Sequence, residues 1–382
     1  MDLNALPFDA QSMLARLRPW IECESPTWDA AAVSAAVGLA CRDAAAAGGR
    51  VETIPGPKAT GGEQLGDCAL VRFPHANAGE PGILVMGHFD TVHPIGTLAD
   101  LPFRQEGNQC WGPGILDMKG GTFTALEAVI QLAKAGIATP LPITFLFTSD
   151  EEIGSPGTRA LIEAEARRHK YILVPEPGHK DRGVTTGRYA IARYNLAAHG
   201  RPSHAGSTLK EGRSAIREMA RRIPQIEDMT SDDCTFSVGV VHGGQWVNCV
   251  ATTCAGEALS MAKRQADLDA GTARMLALNE RHEDGTGFEV TMGVVRPVWE
   301  PDAGTLALYE QARQVGADLG LDLPHRSAGG GSDGNFTGAL GIPTLDSLGP
   351  SGAHYHTLNE HIEIDTLPQR GRLMAGLMAR LA

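Results

Sequence analysis

The chain has 382 residues, of which 42% are apolar and 20% are charged, and its formal net charge at pH 7 is −12. This length suits about two or three domains with a sizeable buried core. An acidic surface repels phosphate backbones and anionic lipids, which argues against nucleic-acid and membrane partners. No window approaches about 18 uninterrupted apolar residues, so we predict no membrane-spanning helix.

The N-terminal segment and the cysteines both indicate a reducing compartment. Residues 1–20 lack a basic stretch followed by an apolar one, so no secretory signal is apparent and we expect a cytoplasmic protein. The seven cysteines are odd in number, and no pair has C-x-x-C spacing. Both facts argue against a disulfide framework and a cysteine zinc site, so we expect free thiols, most of them buried.

Strands and helices alternate through the first half of the chain. The predicted elements are strands at 82–90, 141–149 and 171–178 and helices at 120–136 and 155–169. In the second helix, Ser155 is the expected N-cap and Pro156 lies in the expected first turn. Strand–helix–strand alternation predicts an α/β layer built on a mostly parallel sheet.

The pattern changes near residue 187. The elements predicted after this point are an alternating, antiparallel type of strand at 188–200, a helix at 211–223 and strands at 234–244 and 287–295. Helices and strands of the first type return from about residue 303. We therefore predict an α/β domain made of 1–186 and 296–382, interrupted by an inserted α+β domain at 187–295.

Acidic and histidine residues occur repeatedly where predicted strands end. These residues are His88, Asp90, Asp150, Glu151, Glu152, Glu176, His354 and His356, and Asp117 lies in a loop just before a helix. In open α/β sheets the ligand crevice lies outside the carboxyl ends of the strands. Residues far apart in the sequence are therefore expected to converge on one site.

The residue types at these strand ends predict a metal site. Carboxylates without neighbouring lysine or arginine repel one another, and protons or cations must relieve that repulsion. Imidazole and carboxylate suit zinc, and less selectively manganese or cobalt. Each motif alone is commonly structural, but their joint occurrence favours metal binding. Two histidines and three carboxylates exceed what one catalytic zinc needs and suit two ions about 3.5–4 Å apart.

Seven motifs carry a resemblance to a known family. They are GHFDTV (87–92), GPGILDMKGG (112–121), TSDEEIGSPG (148–157), VPEPG (174–178), GRPSHAG (200–206), GGGSDG (329–334) and HYHTLNEHIEI (354–364). In this order they resemble the zinc-dependent aminoacylase and carboxypeptidase G family of co-catalytic metallopeptidases, and most of all its glutamate carboxypeptidases. The resemblance implies a zinc-exopeptidase fold, with a mixed, mostly parallel sheet flanked by helices and an inserted α+β dimerisation (lid) domain.

The resemblance also implies the ligands of two zinc ions, for which cobalt or manganese could substitute. The implied ligands are His88, Asp117, Glu152, Glu176 and His356. Asp117 would bridge the two ions, and the Asp117–Met118 peptide is expected to be cis. His354 competes with His356 as a ligand, and His356 is favoured because HTLNE matches the family's H-x-x-N-E spacing.

Catalytic roles follow from the same resemblance. Asp90 would orient His88, as carboxylates beside metal-binding histidines commonly do. Glu151 would be the general base. His204 would stabilise the oxyanion from the insertion domain of the other subunit, which implies a homodimer and hinge closure over the substrate.

The resemblance implies four substrate contacts in this chain. Arg296 would bind the terminal carboxylate, since a guanidinium forms a planar fork of donors. Asn248, Gly330 and Gly331 would also contact the substrate. Met261 stands where relatives carry an arginine on an insertion strand, so a second anionic contact is missing and specificity for glutamate stays open.

Three functions follow. The first is a dinuclear-zinc hydrolase that releases a C-terminal amino acid, with glutamate as a candidate, from a small N-acyl amino acid or peptide. The second is an N-acyl-amino-acid deacetylase or desuccinylase. The third is a catalytically silent dimeric binding scaffold, against which the intact base and ligand set argue.

Overall fold

The helices and strands are those of a computed structural model, which describes residues 2–382. The α-helices are α1 (Ala10–Glu22), α2 (Ala30–Ala46), α3 (Gly120–Lys134), α4 (Arg159–Ala166), α5 (Ala215–Glu227), α6 (Gln265–Leu276), α7 (Ala303–Asp318), α8 (Gly334–Ala339) and α9 (Thr366–Arg380). The strands are β1 (Arg50–Ile54), β2 (Cys68–Arg72), β3 (Ile83–His88), β4 (Arg104–Glu106), β5 (Gln109–Trp111), β6 (Ile143–Thr148), β7 (Tyr171–Leu173), β8 (Val184–Arg188), β9 (Ala190–His199), β10 (Cys234–Gly243), β11 (Thr253–Ala262), β12 (Glu280–Arg281), β13 (Gly287–Arg296), β14 (His325–Ala328), β15 (Thr344–Leu345), β16 (Gly352–Ala353) and β17 (His361–Glu363).

The first of two units extends up to Gly187 and includes Pro301–Ser327 and Ser332–Ala382. Its main sheet has the order β1-β2-β6-β3-β7-β15. The pairs β6–β3, β3–β7 and β7–β15 are parallel, whereas β1–β2 and β2–β6 are antiparallel. The predicted α/β fold with a mixed, mostly parallel sheet is confirmed.

The central strands of this sheet are buried on both faces. In β3, Ile83 and Val85 pack into the larger core, to which α3 and α9 contribute, while Leu84 and Met86 pack into a smaller core with residues of α4 and α8. A strand covered on both faces is apolar at successive positions, and this is why β3 and β6 read as continuous apolar runs rather than alternating ones.

The sheet register brings the predicted site residues to one edge. His88 at the end of β3 pairs with Thr148 at the end of the parallel strand β6. The residues that follow each strand, Asp90 in one case and Glu151 in the other, therefore leave the sheet side by side.

A small four-stranded sheet, of order β16-β17-β5-β4, organises the rest of this edge. Trp111 of β5 pairs with His361 of β17. The segment after β5 leads to Asp117, and the segment before β17 contains His356. These two segments, about 250 residues apart in sequence, are therefore joined by strand pairing.

The second unit comprises Arg188–Glu300 and Ala328–Gly331. Its antiparallel sheet has the order β10-β11-β9-β13-β12, and α5 and α6 cover one face. Residues 296–300 and Ala328–Gly331, predicted to lie in the second part of the α/β domain, belong to this unit. The reason is backbone pairing, since Arg188 and Trp299 exchange hydrogen bonds and the Tyr189 amide donates to Ala328. That this unit is a dimerisation domain stays a prediction.

One predicted helix start is wrong. The helix expected at 155–169 begins only at Arg159, and Ser155 is not its N-cap. Ser155 has a φ of +58°, and its hydroxyl donates instead to Asp333 at 2.5 Å. A side-chain acceptor from another part of the chain thus overrides the local capping pattern.

Two further predictions concern the chain as a whole. All seven cysteines are free thiols, and four of them, Cys68, Cys110, Cys234 and Cys254, are buried. Among the described residues, no helix has the length and apolar character to cross a membrane.

Candidate metal centre

His88 ends β3 and is held in one orientation. Its Nδ1 lies 2.9 Å from the backbone carbonyl of Asp90 and 3.4 Å from the Asp90 carboxylate. The Asp90 carboxylate is expected to orient His88, but the shorter contact is made by the Asp90 backbone carbonyl. Because a carbonyl can only accept, Nδ1 carries a proton, and Nε2 is the atom that presents a lone pair in the neutral ring that a metal binds.

The Asp90 carboxylate positions the segment after β6. It is fully buried and accepts hydrogen bonds from the amides of Glu151 and Glu152, each at 3.1 Å, and from the hydroxyl of Thr27 at 2.8 Å. Hydrogen bonds to a buried carboxylate are strong, so these contacts fix the backbone position of Glu151 and Glu152.

Asp117 lies between two histidines. Its Oδ1 is 3.2 Å from Nε2 of His88, and its Oδ2 is 3.1 Å from Nε2 of His356. The residue occupies an irregular helical turn over Ile115–Lys119, and the Asp117–Met118 peptide is cis, as the resemblance implies.

The remaining predicted ligands complete two neighbouring groups around Asp117. Glu152 Oε2 lies 3.1 Å from His356 Nε2, and Glu176 Oε1 lies 3.9 Å from His88 Nε2. The ring of the alternative residue, His354, lies against His361, with ring centroids 5.8 Å apart. The structure therefore brings all five predicted ligands together, with His356 rather than His354 among them.

Glu151 lies beside this set of ligands. Its Oε2 is 4.0 Å from His88 Nε2, and its side chain is 11% exposed. The residue begins a short 3₁₀ turn, Glu151–Ile153, directly after β6. A carboxylate in this position borders the candidate metal centre and remains partly exposed to solvent.

The electrostatics of the group favour protonated imidazoles when no cation is present. Burial alone would lower the pKa of His88, but hydrogen bonds with Asp117 and Asp90 and the charges of Glu176 and Glu151 outweigh it and hold that pKa well above its usual value.

The second histidine shows the same effect more simply. Hydrogen bonds to Asp117 and Glu152 raise the pKa of His356 to about 10. Burial raises the pKa of Glu176, and the nearby charge of Asp117 raises it further. Protons on the imidazoles and on Glu176 thus offset the negative charge that a divalent cation would otherwise neutralise.

The residues present fit a divalent metal. Ligand atoms of His88, Asp117 and Glu152 all lie within 4.8 Å of one another. The buried Oε1 of Glu152 has no hydrogen-bond partner among the described residues. A buried carboxylate oxygen without a donor is costly, and a bound cation would satisfy it. Imidazole nitrogen and carboxylate oxygen are ligands that zinc accepts.

The site includes two residues that the sequence analysis did not assign. Glu360 is 1% exposed, and its carboxylate lies 2.6 Å from Nε2 of His93, which is also buried. Glu360 also accepts backbone hydrogen bonds from the loop that carries Asp117. The signal for Glu360 was the final glutamate of HTLNE, whereas nothing in the sequence marks His93.

The predicted oxyanion donor, His204, belongs to the second unit. Its Nδ1 accepts hydrogen bonds from the amides of Gly206 at 3.0 Å and Ser207 at 3.2 Å. Nδ1 is therefore unprotonated, and the proton lies on Nε2, where it can be donated. The predicted substrate contact Asn248 is close in the same unit, since its carbonyl accepts from the Ala205 amide at 3.0 Å.

Arg296 and Gly331 are packed together in the second unit. Arg296 ends β13 and is only 4% exposed. A Cβ atom on Gly331 would lie 2.4 Å from Cδ of Arg296, so a side chain at this position would displace the arginine. Gly330, with a φ of +83°, accepts a hydrogen bond from the guanidinium of Arg188.

Met261 occupies the same register of this sheet as Arg296. Both residues are paired with Ile191 of the central strand β9, Met261 from β11 and Arg296 from β13. Residues directly opposite one another on neighbouring strands share a face of the sheet. The apolar side chains of Ile191 and Met261 therefore follow Arg296 in the same row across the sheet.

Sequence comparisons identify one matching family and several relatives. Residues 84–380 match the model of peptidase family M20/M25/M40. Carboxypeptidase G2 of Pseudomonas sp. (strain RS-16) is 32% identical over 316 residues, which cover 79% of this chain and 74% of that protein. Succinyl-diaminopimelate desuccinylase of Dechloromonas aromatica is 26% identical over 325 residues, covering 79% and 84% respectively.

Solved structures have the same fold. A tripeptidase of Staphylococcus aureus superposes with a TM-score of 0.76 at 21% identity, covering 97% of this chain and 98% of that chain. An M20 family metallo-carboxypeptidase of Sulfolobus solfataricus has a TM-score of 0.74 at 14% identity, covering 97% and 99%. The predicted class of metal-dependent hydrolase is confirmed, and the chain belongs to the M20/M25/M40 family of metallopeptidases, which hydrolyse amide bonds.

Proposed function

We propose that the chain is a dinuclear zinc hydrolase that cleaves the amide bond between a C-terminal amino acid and an N-acyl or peptidyl group. The observation that carries the proposal is the position of Asp117, whose two oxygens face His88 and His356 separately. Glu176 accompanies the first histidine and Glu152 the second. Two ligand groups that share one carboxylate suit a pair of metal ions.

Each residue near the centre has one proposed task. When bound, the two metal ions would polarise the scissile carbonyl and lower the pKa of a water molecule. Glu151 accepts the proton of that water and later delivers it to the leaving amine. Asp90 keeps Glu151 in place through the amide of that residue. His204 donates from Nε2 to the oxyanion.

The proposed substrate is an N-acyl amino acid or a short peptide with a free terminal carboxylate. Arg296 binds that carboxylate, because a guanidinium and a carboxylate form paired hydrogen bonds. Met261, at the same register, offers no charge to a second carboxylate. Glutamate is therefore one candidate for the released residue, and amino acids with uncharged side chains are others.

The second candidate function is an N-acyl-amino-acid deacylase, including a desuccinylase. The similarity to succinyl-diaminopimelate desuccinylase favours it. This second function would use the same metal centre and general base. It differs from the first in that the enzyme would recognise mainly the acyl group rather than the released amino acid.

A homodimer is part of the proposal. Strand β10 lies at the edge of the second unit's sheet, and its Val240 and Val241 are 39% and 44% exposed. Ile216 of α5 is exposed as well. An edge strand with exposed apolar side chains is a template for pairing with another chain, and a second copy would cover it.

A substrate panel tests the proposal. The purified protein would be incubated with N-acetyl, N-succinyl and N-benzoyl amino acids and with dipeptides, and products identified by mass spectrometry on samples of measured metal content. We expect hydrolysis that a chelator abolishes and that zinc, cobalt or manganese restores. About two zinc ions per chain are expected at full activity. One ion per chain at full activity, or hydrolysis indifferent to chelation, would contradict the proposal.

A further inference from the structure

Glu360 is a buried carboxylate that accepts from four donors. Its Oε1 accepts from the amides of Leu116 at 2.8 Å and Asp117 at 3.1 Å. Its Oε2 accepts from the amide of Gly114 at 3.1 Å and lies 2.6 Å from Nε2 of His93. Amides that converge on one point form a positively polarised nest, and a buried anion is the group that satisfies it.

These contacts join three segments that carry predicted metal ligands. The amides belong to the turn that bears Asp117. Glu360 itself lies four residues after His356 in the same loop between β16 and β17. His93 lies five residues after His88, on the segment that leaves β3. One side chain thus ties together the parts of the chain that hold the two histidines and the shared carboxylate.

We propose that Glu360, supported by His93, is a positioning residue that holds the Asp117 turn against the His88 and His356 segments, so that the metal centre is formed before metal binds. The proposal rests on the proposed function, because it assumes that Asp117 and the two histidines are ligands. Glu360 does not touch the ligand atoms of Asp117. It binds only the backbone of the turn, so its action on metal is indirect.

The alternative is a structural role alone, in which Glu360 stabilises the fold without setting the ligand geometry. Glu24 provides a matched control for that role. It is half-buried, and its carboxylate accepts two backbone amides, those of Gly96 and Leu98, each at 2.8 Å. The loop it holds contains none of the predicted ligands. Substitution of Glu24 therefore measures the effect of removing a carboxylate that holds a loop, without any effect on the metal ligands.

The experiment compares Glu360→Gln, Glu360→Ala and Glu24→Gln with wild type. Each protein would be stripped of metal, checked for folding by circular dichroism, and titrated with zinc against a chromophoric chelator. The cobalt forms would be compared by visible absorption, which reports ligand geometry. Steady-state kinetics with saturating zinc would separate kcat from KM.

We expect Glu360→Gln to bind zinc about 10–100-fold more weakly than wild type, as is usual when a partner of a metal ligand is lost. Its cobalt spectrum should change, and its kcat should fall while KM stays similar. Glu360→Ala should show larger effects of the same kind, because it loses every acceptor. Glu24→Gln should keep wild-type zinc affinity, cobalt spectrum and kcat, even if its unfolding temperature falls.

The outcomes distinguish failure of the positioning role from failure of the proposed function. Wild-type zinc affinity, spectrum and kcat in folded Glu360→Gln would overturn the positioning role while leaving the metal centre intact. A wild-type protein that binds no zinc would instead overturn the proposed function. Should Glu360→Ala fail to fold, Glu360→Gln decides by the same criteria, because it keeps the side-chain length and one acceptor oxygen.

Discussion

Glu151 is the residue on which the proposed chemistry depends most directly. We expect Glu151→Gln to retain both metal ions, since this residue is not among the predicted ligands, and to lower kcat by about 10²–10⁴-fold. Metal content and kcat measured on one preparation check this expectation. Undiminished hydrolysis would exclude Glu151 as the base, and loss of metal would make it a ligand instead.

The two histidines of the centre make zinc binding sensitive to pH. The pKa values of His88 and His356 are raised in the metal-free protein, that of His356 to about 10, so both are protonated at pH 7. A metal ion binds only the neutral imidazole. We therefore expect zinc binding at pH 7 to release about two protons from these imidazoles, and zinc affinity to increase with pH.

Calorimetric titrations in two buffers of different ionisation enthalpy measure this release. His356→Gln should release one proton fewer, whereas His354→Gln, the matched control, should behave as wild type.

The raised pKa of His356 also affects the stability of the metal-free protein. Since the pKa of His356 is raised on folding, its contribution to metal-free stability is complete below about pH 6.5 and disappears as pH rises towards 10. Zinc affinity independent of pH between 6 and 8 would contradict this account.

The site residues differ in how far the sequence reveals them. His88, Asp117, Glu152 and Glu176 lie at element ends with chemistry-bearing side chains, and their convergence could be predicted from the sheet rule. Glu360 ends the HTLNE motif, but its role and that of His93 could not be predicted, because their partners are backbone amides and each other. A backbone amide has no signature in the sequence, so a residue that binds one is visible only in the fold.

Individual elements are placed by close backbone contacts as well as by burial. Helix α3 begins so near the segment that carries Glu176 that a Cβ on Gly121 would lie 1.8 Å from the carbonyl oxygen of Pro175. Gly38, inside α2, has nothing within 4 Å of the same position. The two glycines therefore distinguish a steric requirement from simple helix propensity.

We expect Gly121→Ala to lower the free energy of unfolding by about 1–3 kcal/mol or more, because the added methyl group must displace backbone. It should also weaken zinc binding, because Glu176 follows Pro175 directly. Gly38→Ala should instead stabilise the protein by up to about 1 kcal/mol through helix propensity. Urea unfolding and zinc titration of both variants test this, and equal effects at the two positions would contradict it.

The helix and strand boundaries show where tertiary contacts override the local sequence pattern. The buried strands β3 and β6 lie within the ranges predicted for them, because continuous apolar runs of that length suit a sheet covered on both faces. Helix α4 begins three residues later than its capping pattern indicates, because the Ser155 hydroxyl donates to Asp333 across the fold. The antiparallel strands β1 and β2 were not predicted at all, and β1 is largely exposed and has no apolar run.

On the scale of the whole molecule, the predicted ligands and the predicted oxyanion donor belong to different units. His88, Asp117 and Glu151 lie in the first unit and His204 in the second. The proposed homodimer supplies His204 from the insertion of the other subunit. This assignment can be tested without any knowledge of how the units are arranged.

Two inactive variants, Glu151→Gln and His204→Ala, would be co-expressed, and all dimers that form would be purified and assayed as one sample. If His204 acts on the partner subunit, each mixed dimer has one site with both substitutions and one with neither. Random pairing makes half of the dimers mixed, so about a quarter of wild-type activity should return. If His204 acts within its own subunit, every site in a mixed dimer carries one substitution, and activity stays at the level of the parent variants. Gel filtration of the wild type at the mass of one chain would contradict the dimer itself.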